Sequence, residues 1–131
     1  MTLLTQAQNT GLTKRLDALD RRLRDDIRAT LLQSGDQTYI DLAGLVHDFG
    51  DEAAANQLIE IGDALIERHV LELRAVEAAR RRLADDNING CIECGGEIGY
   101  QRLLVNPVAR RCVVCQAQHE KTYAREATPR I

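Results

Sequence analysis

The chain has 131 residues and a formal net charge of −3, and only 3 % of its residues are aromatic, with no Trp and a single Phe. A chain of this length forms one domain, or one elongated element joined to a small module. The apolar residues are mainly Leu, Ile, Val and Ala, and they are mixed with 28 % charged residues, which is typical of long helices packed along a seam. The negative charge argues against a general nucleic-acid binder, and no apolar run approaches the roughly 18 residues of a membrane span.

The first predicted element is an amphipathic helix from about Thr10 to Gln33. Apolar residues step by three or four positions along it, which draws one stripe on a helix. The stripe consists of Leu12, Leu16, Leu19, Leu23, Ile27 and Leu31. Ser34-Gly35 predicts its end, because Gly often terminates helices. The moderately apolar segment from Asp36 to Asp48 predicts a short helix, which a polar corner at residues 48–51 follows.

The second long helix is predicted from about Glu52 to Asp86. At about 1.5 Å per residue, roughly 35 residues make a rod of about 50 Å. Its stripe consists of Leu58, Ile61, Leu65, Val76, Ala79 and Leu83, widened on one side by Ile59, Ile66 and Leu73. His69 and Glu72 interrupt this stripe, so we expect looser packing there. Two such rods predict an antiparallel coiled-coil helical hairpin over residues 1–86, with its tip near residues 48–53.

Charge is divided unevenly between the predicted hairpin and the rest of the chain. Residues 1–86 carry 16 acidic and 11 basic side chains, and residues 87–131 carry 4 acidic and 6 basic ones. Neither part is basic enough to hold a duplex by counterion release alone. A basic run on the second helix is interpreted as a solvated face, as charge runs on helices usually are. It consists of Arg74, Arg80, Arg81 and Arg82.

The four cysteines of the chain form two pairs, Cys91-Ile-Glu-Cys94 and Cys112-Val-Val-Cys115, with 17 residues between the pairs. A two-residue gap lets both thiolates of a pair turn toward one cation, and two pairs supply a tetrahedral shell of four sulfurs. The spacing therefore predicts one structural zinc ion (Zn²⁺) in a zinc-finger module at residues 87–131. Gln116 to Glu126 is predicted to form a short terminal helix.

Two other interpretations of the cysteines stay open. An even cysteine count also permits two disulfides, but the polar residues at the start of the sequence predict no signal peptide, and a cytoplasmic location would keep thiols reduced. His119 lies four residues after Cys115 and could compete as a ligand. With four Cys the shell is closed, whereas a catalytic zinc keeps a position open for water. We therefore expect a site that stabilises the fold and not an active site.

The metal module resembles the zinc finger of the DksA/TraR family of bacterial transcription regulators. Both have CxxCG, then Ile, then Arg-Leu, then Pro and then CxxC, and here these are the two cysteine pairs with Gly95, Ile98, Arg102-Leu103 and Pro107 in between. Asn89-Gly90 departs from the family, where Gly-Tyr usually precedes the first Cys. The resemblance covers essentially the whole chain, because a long helical hairpin precedes the finger in this family too.

A second match lies upstream, where Asp48-Phe-Gly-Asp51-Glu-Ala53 fits the family's DxxDxA motif at the coiled-coil tip. The family binds RNA polymerase and inserts this tip into the secondary channel. The resemblance therefore implies that Asp48, Asp51 and Ala53 approach the polymerase active site. A structural role is the alternative, since Asp48 would suit the N-cap of the second helix and Asp51 its first turn, where carboxylates are favoured.

The alarmone ppGpp is a further ligand of some family members, which bind it through basic residues of the second helix and the finger. Arg68 could serve such a role in this chain. The other positions hold uncharged or acidic residues, namely Glu72, Ala75, Asn106 and Gln116. The resemblance therefore implies little synergy with ppGpp.

Three classes of function remain as hypotheses. The first is a non-enzymatic transcription regulator that binds RNA polymerase, with no sequence-specific DNA binding and no membrane association. The second is a transcript-cleavage or elongation factor similar to the Gre factors, which also place an acidic coiled-coil tip in this channel. The third is a zinc-finger module that binds nucleic acid, against which the scarcity of aromatic and basic residues speaks. A stand-alone enzyme is least favoured, because the sequence contains no nucleophile triad and no phosphate-binding glycine loop.

Overall fold

The computed structural model describes residues 3–48, 50 and 52–127, with the side chains of residue 53 and residues 124–127 excepted. The chain is mostly α, which confirms the predicted fold class. Its helices in chain order are α1 (Gln6–Gln33), α2 (Gln37–Ala43), a short 3₁₀ helix (Val46–Asp48), α3 (Glu52–Glu60), α4 (Ala64–Ala84), α5 (Tyr100–Val105) and α6 (Val113–Ala127).

Helix α1 begins one turn earlier than the predicted Thr10, because a reciprocal pair of hydrogen bonds caps its first turn. The backbone N–H of Gln8 donates to Thr5 Oγ1 at 3.1 Å, and the backbone N–H of Thr5 donates to Gln8 Oε1 at 2.9 Å. This is a capping box, which provides acceptors for two backbone N–H groups that have no partner within the helix. The predicted end is confirmed, since Gly35 has a φ of +71°.

The predicted stripe of α1 faces the protein interior. Leu12, Leu16, Leu23, Ile27 and Leu31 are at most 1 % exposed, and Leu19 is half-buried. The side chains between them are largely exposed, as an amphipathic helix requires.

The prediction of one continuous helix from Glu52 to Asp86 is wrong, because the chain breaks at Gly62. This residue has a φ of +82°, which ends α3. The next residue, Asp63, starts α4, since its Oδ1 accepts the backbone N–H groups of Leu65 at 2.9 Å and Ile66 at 3.0 Å. The break changes the helical phase, so that Leu65 is 46 % exposed and not part of the seam as predicted.

Helix α3 folds back alongside α4. Arg74 Nη2 on α4 lies 2.9 Å from Glu52 Oε2 and 3.0 Å from Asn56 Oδ1, both on α3. On one straight helix, the 18 residues that separate Asn56 from Arg74 would span about 27 Å. Because no arginine side chain reaches that far, the two helices must lie side by side in opposite directions.

The chain divides into two compact units. Lys14–Ala78 forms one, and the residues up to Thr13 together with those from Ala79 onward form the other. The start of α1 shares a unit with the end of α4, and the rest of α1 shares the other unit with the first part of α4. The predicted domain boundary between residues 86 and 87 stays a prediction.

The unit Lys14–Ala78 is built around one apolar cluster to which every one of its helical elements contributes. The buried members come from α1, α2, the 3₁₀ helix, α3 and α4, and they are Ile27, Leu31, Ala43, Val46, Leu58, Ile66 and Val70. Looser packing was expected at His69, and the neighbouring Val70 belongs to this cluster and is 1 % exposed. The His69 side chain itself is 12 % exposed, with Nε2 at 4.0 Å from Asp26 Oδ2.

The second unit has buried apolar side chains of its own. Leu12, Ile88 and Leu103 are at most 2 % exposed, and Ile98, Pro107 and Ala109 are also buried. Among the helices of the described ranges, none combines the length and the apolar character that a membrane span needs. The predicted terminal helix is confirmed as α6, which begins three residues before the predicted Gln116.

Candidate zinc centre and the tip residues

The four cysteine sulfurs form one cluster. Their Sγ atoms all lie within 4.8 Å of one another, and those of Cys94 and Cys112 are 3.9 Å apart. Four thiolates at about 2.3 Å from a tetrahedral zinc ion are about 3.8 Å apart, so the arrangement fits this ion. All four are free cysteines, which speaks against the disulfide alternative.

Backbone hydrogen bonds shape the first cysteine pair into a tight turn around the metal position. The N–H of Cys91 donates to the carbonyl of Gly96 at 2.8 Å, and the N–H of Gly95 donates to the carbonyl of Cys91 at 3.1 Å. Gly95 has a φ of +72°, a backbone conformation that residues with a side chain rarely adopt. The turn brings the Gly96 N–H to 3.4 Å from the Cys94 sulfur. Such N–H contacts favour the thiolate form that binds metal.

The second pair lies at the start of α6. The backbone N–H of Cys115 is 3.5 Å from the sulfur of Cys112, and the N–H of Gln116 donates to the carbonyl of Cys112 at 2.8 Å. Helix α6 therefore holds both sulfurs at a helix N-terminus, where negative charge is stabilised. This second turn mirrors the first, and together they supply a closed shell of four sulfurs.

The thiols differ in acidity because their surroundings differ. Backbone hydrogen bonds from Cys94 and then Cys112 lower the pKa of Cys91 to about 6. Hydrogen bonding with the thiols of its neighbours, Cys112 first, and burial raise the pKa of Cys115 to about 12. A divalent cation overrides this difference, since a coordinating thiol is deprotonated outright. Zinc would then stabilise the folded module directly.

An ion pair connects the two cysteine turns. Arg111 Nε donates to Glu93 Oε1 at 2.8 Å, and Arg102 Nε donates to the backbone carbonyl of Arg111 at 3.2 Å. This contact lowers the pKa of Glu93, mainly through the hydrogen bond from Arg111. Since Glu93 precedes Cys94 and Arg111 precedes Cys112, the pair holds the two turns at a fixed spacing.

Sequence reasoning missed the structural role of Asn89. This residue is 5 % exposed, and its Oδ1 accepts the backbone N–H of Gly99 at 2.8 Å. Its backbone carbonyl accepts the N–H of Ile98, also at 2.8 Å. It thereby fixes the segment between the cysteine pairs just before α5 begins. Its place two residues before Cys91 was the available signal, because an Asn that becomes buried near a metal site must find hydrogen-bond partners.

His119 is not part of the sulfur cluster. Within the described part of the chain, the metal-binding group consists of the four cysteines. The His119 ring instead packs against Tyr123, with ring centroids 4.3 Å apart. The imidazole therefore belongs to the surface of α6.

Two of the predicted tip residues, Asp48 and Ala53, belong to the end of the 3₁₀ helix and the start of α3. Asp48 is exposed at the last position of the 3₁₀ helix, and its N–H donates to the carbonyl of Leu45 at 2.9 Å. Because α3 begins at Glu52, Asp48 does not hold the N-cap position of that helix, and this part of the structural alternative is wrong. Asp51 lies outside the described residues. Ala53 is in the first turn of α3, and its side chain is not described.

The basic residues of α4 differ in their surroundings. Arg68 is 73 % exposed and pairs with Glu72, at 3.3 Å from Nε to Oε1. The prediction of a solvated basic face is wrong for three residues further along, since Arg74, Arg80 and Arg82 are half-buried, whereas Arg81 is exposed. Burial, and then the charge of Arg110, lower the pKa of Arg82.

The comparisons with known proteins point to one family. Residues 87–121, a range that contains all four cysteines, match the model of the prokaryotic dksA/traR C4-type zinc finger. The RNA polymerase-binding transcription factors DksA of Salmonella typhimurium and Escherichia coli K12 are 26 % identical over 117 residues, which is 89 % of this chain and 74 % of theirs.

A solved structure agrees with the sequence matches over most of the chain. Transcription factor DksA2 from Pseudomonas aeruginosa has 27 % sequence identity and a TM-score of 0.53, and the match covers 91 % of this chain and 88 % of that one. The cysteine cluster, the helices before it and these matches agree: residues 87–121 match the dksA/traR C4-type zinc finger, and most of the chain is similar to transcription factors of the DksA type.

Proposed function

We propose that this protein binds RNA polymerase and regulates transcription initiation, without catalytic activity of its own. The observation that carries the proposal is the joint presence of the dksA/traR finger and a helical hairpin, in a chain that matches factors named for binding RNA polymerase over 89 % of its length. The four-sulfur shell leaves no ligand position for a reacting water, which favours a binding protein over a metal-dependent enzyme.

The tip residues are proposed to approach the polymerase active site through the secondary channel. The exposure of Asp48 supports this, because a carboxylate at the end of a narrow helical element can perturb the charge around a catalytic Mg²⁺ or nearby basic residues. We assign the same role to Asp51 and Ala53 from their place in the DxxDxA motif. Ala53, with its small side chain, would let the backbone come close to the partner.

Dependence on ppGpp is proposed to be weak. Arg68 is the basic residue that could contact this anion, but Glu72 lies 3.3 Å away and partly neutralises it. Transcription assays with and without ppGpp should give the same extent of regulation, and the Arg68→Ala variant should behave like the wild type. A strong enhancement by ppGpp that Arg68→Ala removes would contradict this expectation.

Co-purification with core RNA polymerase tests the main proposal. Wild-type protein should retain polymerase and about one zinc per chain, whereas Cys112→Ser should lose zinc and bind polymerase poorly, because the finger unfolds without its metal. Zinc in the wild type without retained polymerase would refute polymerase binding while leaving the metal site intact.

The tip is tested by separating binding from effect. Asp48→Asn and Asp51→Asn should still co-purify with polymerase but lose their effect on promoter-complex lifetimes. Gln57→Ala is a matched control on exposed surface of the neighbouring α3 and should keep that effect. Tip variants that change promoter-complex lifetimes as strongly as the wild type does would refute the tip assignment. Cleaved RNA from stalled elongation complexes would favour a Gre-like activity instead.

A further inference from the structure

We propose that Arg24 on α1 is a positioning residue for the candidate tip residue Asp48. The guanidinium group of Arg24 holds the 3₁₀ helix against α1, and Asp48 is the last residue of that 3₁₀ helix. The carboxylate of Asp48 is thereby presented to a partner from a fixed backbone. The role of Asp48 rests on the proposed function, whereas the contact that Arg24 makes is a property of the free protein.

The Arg24 side chain joins two acceptors that lie far apart in the sequence. Its Nη1 donates to the backbone carbonyl of Val46 at 2.7 Å, and its Nε donates to Asp20 Oδ1 at 2.6 Å. The side chains of Arg24 and Asp20 are only 18 % and 22 % exposed, so water and salt screen this contact less than they screen a surface ion pair. Because the planar guanidinium serves both acceptors at once, Asp20 fixes the direction in which Arg24 points toward Val46.

The 3₁₀ helix needs such a contact because it is a single turn. It runs from Val46 to Asp48, and the N–H of Asp48 donates to the carbonyl of Leu45 at 2.9 Å. A turn this short fixes few backbone angles through its own hydrogen bonds, and 3₁₀ hydrogen bonds have poorer geometry than those of an α-helix. Its position therefore comes from contacts with the rest of the unit.

Two contacts at Val46 supply that position. The Val46 side chain is 1 % exposed and belongs to the apolar cluster of the unit, which sets how deep the segment lies. Apolar packing is not directional, so it does not by itself set the orientation of the peptide group. The hydrogen bond from Arg24 is directional, and it fixes the carbonyl of the residue two positions before Asp48.

The neighbouring residues of both elements make a second contact, which lies at the surface. His47 Nε2 is 2.9 Å from Asp25 Oδ1, with side chains 44 % and 60 % exposed. Exposed pairs of this kind contribute little to stability, and salt screens them. Removing this pair should therefore disturb Asp48 far less than removing the Arg24 contact, although His47 is the residue directly before Asp48.

The fixed backbone matters for what an exposed carboxylate can do. Because Asp48 is exposed, its position depends on the backbone that carries it. A group that acts on the charge of a partner's site has to be held to within about 0.5 Å. Ordering one residue only after binding would disfavour the acting arrangement by about tenfold. Loss of the Arg24 contact should therefore weaken the effect of the tip and leave the binding that the rest of the chain provides.

Arg24→Met tests the contact in the free protein, because methionine keeps an unbranched apolar side chain and removes both donors. Backbone order parameters from NMR relaxation measure whether the segment is fixed. The order parameter of the Asp48 amide should be about 0.85 in the wild type and below about 0.6 in Arg24→Met. Arg28→Met is the matched control, since Arg28 lies one turn further along α1 and is exposed. This control and Asp25→Asn should keep the wild-type value.

Polymerase assays separate a positioning role from a role in the stability of the whole unit. Arg24→Met should co-purify with core RNA polymerase as the wild type does. At saturating protein it should lose more than half of the wild-type effect on promoter-complex lifetimes, whereas Arg28→Met should keep that effect. A residue that only stabilised the unit would change binding and effect together.

Three results would overturn the proposal. The first is an Asp48 order parameter in Arg24→Met equal to that of the wild type, and the second is a full effect of this variant on promoter-complex lifetimes. The third is a loss of helical circular dichroism, since Arg24 would then maintain the whole unit and not the tip. A wild-type protein that retains no polymerase would refute the proposed function, while the order parameters would still decide whether Arg24 fixes the segment, so the two proposals fail separately.

Discussion

Replacing Asn89 by alanine should destabilise the finger more than any change at the surrounding surface. The substitution removes the 2.8 Å hydrogen bond from the Gly99 N–H to Asn89 Oδ1, at a site that is 5 % exposed. Losing the bond and leaving a buried N–H without an acceptor together cost about 1–3 kcal/mol. The effect should reach α5, because Gly99 directly precedes its first turn and Leu103 on that helix is fully buried.

Urea unfolding of the zinc-saturated protein, followed by circular dichroism, measures this loss. With a slope of about 2 kcal/mol per molar urea, a loss of about 2 kcal/mol lowers the midpoint by roughly 1 M. Asn87→Ala is the matched control, since Asn87 is an exposed asparagine two residues earlier, and its substitution should change stability by less than about 0.5 kcal/mol. Equal midpoints for the two variants would refute the reasoning.

Three further predictions concern the same unit. Glu93→Gln and Arg111→Gln should each weaken zinc retention against a chromophoric chelator by about tenfold, because the ion pair between the two residues spaces the cysteine turns. Variants that bind zinc as tightly as the wild type would contradict this. Gly11→Ala should lower the melting temperature, since its Cβ would collide with the hydroxyl of Tyr100, and adding Tyr100→Phe should recover part of the loss; no recovery would exclude the collision as the cause. Arg82→Met should raise the free energy of unfolding by about 1 kcal/mol, because Nε and Nη2 of Arg82 are buried without a hydrogen-bond partner among the described residues. A less stable variant would show that the guanidinium contributes favourably to stability.

The metal centre is the part of the molecule that sequence predicts best. Metal geometry constrains sulfur positions strongly, so the spacing of Cys91, Cys94, Cys112 and Cys115 already implies a shared cation. The ion pair that holds the two cysteine turns at a fixed spacing was not predictable in the same way. The pairing of Glu93 with Arg111 joins residues 18 positions apart, and it depends on how two turns face each other in the folded chain.

The first helix was also predictable, and its start shows what the apolar pattern leaves out. The stripe from Leu12 to Leu31 identified the buried face, because burial follows helical periodicity. The pattern begins only where apolar residues begin, whereas the helix begins where backbone N–H groups are capped. The capping residues Thr5 and Gln8 carry that information, and they lie before the stripe.

The second helix shows the limit of periodicity most clearly. Leu58, Ile61 and Leu65 keep one helical phase across a position where the chain turns back, so the pattern alone predicts no break. The signal was the dipeptide Gly62-Asp63, which repeats Gly35-Asp36 at the end of α1. Periodicity reports which face can be buried, and the glycine and the capping aspartate report where a helix can stop. The two kinds of signal disagree at Gly62, and the chain follows the second kind, because the positive φ of Gly62 ends α3 and the Asp63 side chain caps α4.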